Sequence, residues 1–121
     1  MTRLSPRLAT EEYGFATLEP GRDVPPGLVP LATFAEDEGL SLVAPVASLD
    51  AAGVTCQRGF ARISLGLTSA LEGVGLTAAV SAALAYADIS CNMIAAYHHD
   101  HLFVPWERRD EAFGIVGAVD I

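Results

Sequence analysis

ARISLGLTSALEGVGLTAAVSAALAYADISCNMIAAYHHDHLFVP, residues 61–105, carries the pattern that decides the fold. It opens with alternation: Ile63, Leu65 and Leu67 are apolar, while Arg62, Ser64 and Gly66 stand between them. A period of two predicts a half-buried strand. Gly73 and Gly75 in LEGVG then let the backbone turn tightly. From there Leu76, Ala79, Val80, Ala83, Leu84 and Ala87 recur at helical spacing, and Thr77 and Ser81 fall off that stripe. The small side chains predict a helix lying close against a sheet. In DISCNMIAAY, Ile89, Cys91, Met93 and Ala95 point one way and Ser90 and Asn92 the other, which predicts a second strand. HHDH connects it to a short strand, LFV, ended by Pro105.

The next stretch, WERRDEAFGIVGAV, places Ala112, Phe113, Val116 and Val119 on one helical stripe that Gly114 and Gly117 weaken. The order is therefore β-α-β-β-α, most of a ferredoxin-like βαββαβ unit of class α+β, with helices on one face of an antiparallel sheet. For the last strand there is AVDI, or a strand supplied by the first half of the chain. That first half speaks less clearly. YGFATL (13–18) predicts a short strand, and the Pro- and Gly-dense EPGRDVPPGLVP a loop. LATFAEDEG predicts a short helix closed by Gly39. LSLVAPV predicts a strand stopped by Pro45, and SLDAAG one helical turn capped by Ser48.

Composition sets the outer bounds. The 121 residues are 51% hydrophobic and 18% charged, enough to build a core and too apolar for a disordered chain. A net charge of −8, with 7 Lys and Arg spread along the chain, argues against a surface that neutralises phosphates, so no nucleic-acid partner is expected. Mean hydropathy is +0.37. Even so, the longest apolar passage, VGLTAAVSAALAYA, stops at Asp88, short of the roughly 18–20 residues of a span, so no membrane partner is expected. The start, MTRLSPRLATEEYGF, lacks the apolar core of a secretory signal. Cys56 and Cys91 fit a reduced pair in a cytoplasmic protein.

The residues 61–105 resemble an ACT domain, the small ligand-binding regulatory module of amino-acid metabolism. ADISCNMI resembles the second strand of the ACT modules in aspartate kinases, and ATFAEDEGLSLVAPV resembles an N-terminal half of the same kind. The whole is similar to short bacterial proteins with tandem ACT-like halves and no enzyme. The resemblance implies a degenerate ACT-like half at 1–55 and an ACT domain at 56–121. It also implies an ACT-type sandwich, a homodimer formed through sheet edges, and no catalytic residue or cofactor. SALEGVGL stands where many ACT domains carry an Asp-x-Pro-Gly turn; here Glu72 and Gly73 replace that Asp and Pro.

A helix N-terminus after a glycine turn offers unpaired N–H groups and partial positive charge, a match for a carboxylate. Gly73, Val74, Gly75 and Leu76 can supply backbone donors, and Glu72 or Asn92 can take an ammonium group. Ser69, Leu71 and Ser90 complete the candidate site for an amino acid or similar metabolite. The plainer reading is that the glycines only shape a βα turn.

His98, His99, Asp100 and His101 allow three readings. His99 and His101 share a face of an extended segment, as metal ligands do, but a zinc site needs three or four protein ligands. Cys91 activated by a histidine needs an electropositive setting, whereas its place is the apolar face of a strand in an acidic chain. A polar hairpin turn needs nothing further, and similar runs in the resembling proteins suit it. Trp106 is read as a hydrophobic staple, ERRDE as a solvated helix face, and Tyr86 and Tyr97 as core-edge residues. Three functions follow: a regulatory binding protein, a metal-binding protein or metalloenzyme built on His99 and His101, or a protein–protein interaction module without a ligand.

Overall fold

The computed structural model describes residues 4–66 and 75–120. Six strands and three helices alternate: β1 (Pro6–Leu18), β2 (Ala32–Glu36), β3 (Gly39–Pro45), α1 (Val46–Ala51), β4 (Gln57–Leu65), α2 (Leu76–Tyr86), β5 (Asn92–Ala95), β6 (Asp100–Pro105) and α3 (Arg109–Gly117), the last preceded by a 3-10 turn at Trp106–Arg108. Two compact units result. One comprises Met1–Thr10 with Ala61–Ile121 and is called here the α2/α3 unit; the other, Glu11–Phe60, is the α1 unit.

In the α2/α3 unit the strands run in the order β1, β4, β6, β5. The start of β1 thus takes the place beside β4 for which the sequence has AVDI as the other candidate. Its junction is sealed where Gly66 N–H donates to Ser5 O at 2.9 Å. Alternation on β4 is as expected where it is described: Ile63 and Leu65, with Ala61, are buried and Arg62 and Ser64 are half-exposed, while Leu67 lies outside the described residues. Those three pack with Leu102 and Val104 of β6, Val80 and Leu84 of α2, and Ala112 and Val116 of α3. Each fully buried Val, Leu or Ile contributes roughly 1.5–3 kcal/mol. The α2 stripe follows its predicted spacing, with Thr77 and Ser81 exposed. Among the described residues, no helix is long and apolar enough to cross a membrane.

In the α1 unit the order is β2, β3, β1, with β3 antiparallel to both neighbours. Here the sequence reading needs correction. The segment expected as a helix closed by Gly39 is strand β2, joined to β3 by a two-residue turn that pairs Glu36 with Gly39. A nine-residue helix is too short to hold itself, and Thr33 and Phe34 suit a strand that gains backbone partners from β3. Gly39 has φ +140°, and a Cβ there would lie 2.0 Å from the Leu18 carbonyl oxygen, so the glycine serves a close strand approach instead of a helix end. Ser48 does not cap α1: the helix starts earlier, with Pro45 at the N-cap and no side-chain cap. Proline's fixed φ makes it a ready point of entry. β1 is also longer than YGFATL, reaching back to Pro6. The core of this unit is Leu18, Leu42, Ala44, Leu49 and Val54, with Leu28 contributed by the Pro- and Gly-rich loop.

Candidate functional site

Gly75 stands at the N-cap of α2 with φ +98° and ψ −31°, and among the described residues no side chain caps the helix there. The helical bonding begins where Ala79 N–H donates to Gly75 O at 2.8 Å. The first-turn amides, those of Leu76, Thr77 and Ala78, precede that bond and have no intrahelical acceptor. Thr77 Oγ1 donates to Met93 Sδ at 3.4 Å, which sets the first turn of α2 beside β5. Gly75, Ser90 and Asn92 are exposed and Leu76 is half-buried. Met93 turns toward the core shared with α2, so strand alternation sends the Asn92 side chain to the other face, level with Phe103. Ser69, Leu71, Glu72, Gly73 and Val74 lie outside the described residues.

The histidine run divides between loop and strand. β5 and β6 form a hairpin in which Ala95 pairs with Asp100, and Ala96 N–H donates to His99 O at 3.0 Å. His98 and His99 therefore belong to the turn, whereas Asp100 and His101 begin β6. Asp100 is buried at 7% exposure. Ser64 Oγ lies 2.7 Å from His101 Nδ1, joining β4 to β6. Burial, then the charges of Arg62 and His99, hold the His101 imidazole below its usual range, against a smaller opposing effect of Asp100. Among the described residues, no group of three or more His, Cys, Asp or Glu side chains is gathered to hold a metal ion. Cys56 and Cys91 are both free thiols. Burial pushes the Cys91 thiol up, the opposite of what an activated nucleophile requires.

Other residues carry roles that the sequence did not reveal. Arg109 stacks over the Trp106 ring at 3.8 Å and donates to Trp106 O at 2.7 Å. Arg108 reaches the end of α2, so ERRDE is more than a solvated face. Tyr86 and Tyr97, expected at the core edge, are 96% and 78% exposed. In the α1 unit an open apolar cleft of about 450 Å³ is lined by Phe15, Thr17, Ser41, Cys56 and Gln57 among others.

Two family models, both described as ACT domain, match residues 1–61 and 55–116. No curated protein matches the chain. Among solved structures, a Vibrio cholerae protein of unknown function, described as a possible transport protein, is 39% identical over 98% of this chain and 91% of its own, with a TM-score of 0.85. The ligand-free regulatory subunit of aspartate kinase from Thermus thermophilus is 10% identical over 96% of this chain and 97% of its own, with a TM-score of 0.62. Escherichia coli aspartokinase III, solved with aspartate and ADP, is 13% identical over 94% of this chain and 33% of its own, at 0.66. At such identities the two kinase likenesses speak to the fold.

Proposed function

The chain belongs to the ACT-domain family, with two such modules in tandem, and from that premise we propose that it is a non-catalytic regulatory protein of the cytoplasm that binds an amino acid or a similar small metabolite. ACT domains are regulatory modules, usually amino-acid binding, and regulatory subunits of aspartate kinase share the fold. The observation that carries the reading is the start of α2. An N-cap glycine, with no side-chain cap among the described residues, offers first-turn amides to a carboxylate, and the contact of Thr77 with Met93 brings β5 alongside. We assign the ligand site to Ser69, Leu71, Glu72, Gly73, Val74, Gly75 and Leu76, with Ser90 ahead of β5; Asn92, expected there from the sequence, drops out because its side chain turns to the sheet face away from α2. Residues 1–55 and 56–121 are its two halves. The working form is a homodimer.

A thermal-shift panel of amino acids tests the site. A ligand that binds only the folded chain stabilises it by about 2.7 kcal/mol at a hundredfold excess over Kd, which moves Tm by several degrees. If every amino acid leaves Tm where it was, the proposal is wrong.

A further inference from the structure

We draw no further inference here: the strongest candidate, the open apolar cleft that β1, β3 and the entry to β4 form in the α1 unit around Phe15, Ser41 and Cys56, carries none, because nothing in the structure shows what covers it.

Discussion

The Arg108 guanidinium donates to the Asp88 carbonyl oxygen at 2.8 Å and to that of Ala87 at 3.1 Å, so a residue after β6 caps the helix that precedes β5. The end of α2 is already closed by its own backbone: Ile89 N–H donates to Leu84 O and Asp88 N–H to Ala85 O, the paired bonds of a Schellman ending. Arg108 adds a positive charge at the negative end of the helix dipole. Because its side chain remains 35% exposed, Arg108→Ala should lower stability by about 1 kcal/mol. Urea denaturation with an unchanged m-value measures this. Glu111→Ala, which removes the exposed ion pair with Arg108 and one of two first-turn carboxylates of α3, should cost less than Arg108→Ala. Equal losses from both substitutions would mean that the cap is not the source.

Asp88 occupies the left-handed position of the same ending, with φ +59°. A carboxylate there also faces the unfavourable end of the dipole. Asp88→Gly removes both costs while leaving the backbone carbonyl that Arg108 uses. The expected gain is about 0.5–1 kcal/mol, and Asp88→Val should lose a similar amount. Thermal melts of the two variants moving in the same direction would contradict this account.

Gly14, in the middle of β1, lies where the chain passes closest to Cys56. A Cβ at residue 14 would stand 2.7 Å from Cys56 Sγ and 3.1 Å from Leu49 Cδ1. Gly14→Ala should therefore overpack the α1 unit and cost about 1–3 kcal/mol. Adding Cys56→Ala removes the nearest atom and should recover part of the loss. A double-mutant cycle reads this as a favourable coupling energy, and strictly additive losses would rule out the clash.

What was legible in the sequence depended on how far apart the deciding residues lie. The α2 stripe from Leu76 to Ala87 and the β4 alternation at Ile63 and Leu65 are local patterns, and both appear in the structure as read. β2 was misread because nine residues of mixed character carry too little periodicity to decide, and pairing with β3 decided for them. The turn at His98 and His99 was legible from composition, whereas Asp100 and His101, read as part of the same connection, open strand β6. That His101 would meet Ser64, 37 residues away, was not, and neither was the reach of Arg108 to Asp88, 20 residues back. Of the proposed ligand site, Gly75, Leu76 and Ser90 are described, while the residues from Ser69 to Val74 fall outside.

β2 stands at the end of the strand order, and its Phe34 is 58% exposed, with Leu31 at 38% and Val29 at 80% just before it. An edge with unpaired backbone groups and apolar side chains is a template for another strand. A two-fold antiparallel pairing centred on Phe34 sets Ala32 against Glu36 of the second copy and keeps the acidic Asp37–Glu38 tips apart. Phe34→Lys places like charges face to face at that centre. It should convert a dimer to a monomer by light scattering at micromolar concentration, with a Tm that no longer depends on protein concentration. A dimer that survives Phe34→Lys would have to use another surface.

His101 makes stability depend on pH with a definite sign. Burial and the charges of Arg62 and His99 lower its folded pKa below the unfolded value near 6.5. The unfolded chain then binds more protons than the folded one in the window between the two values, so stability rises with pH there. Below the folded pKa the penalty for charging His101 is fully present; above about 6.5 both states are neutral and it vanishes. His101→Asn keeps a polar partner for Ser64 but cannot titrate. Its urea midpoint should therefore fall less steeply than that of the wild type as pH is lowered from 7 toward 5, while the two curves run parallel above neutrality. Parallel curves through the acid limb as well would show that His101 does not carry the proton linkage.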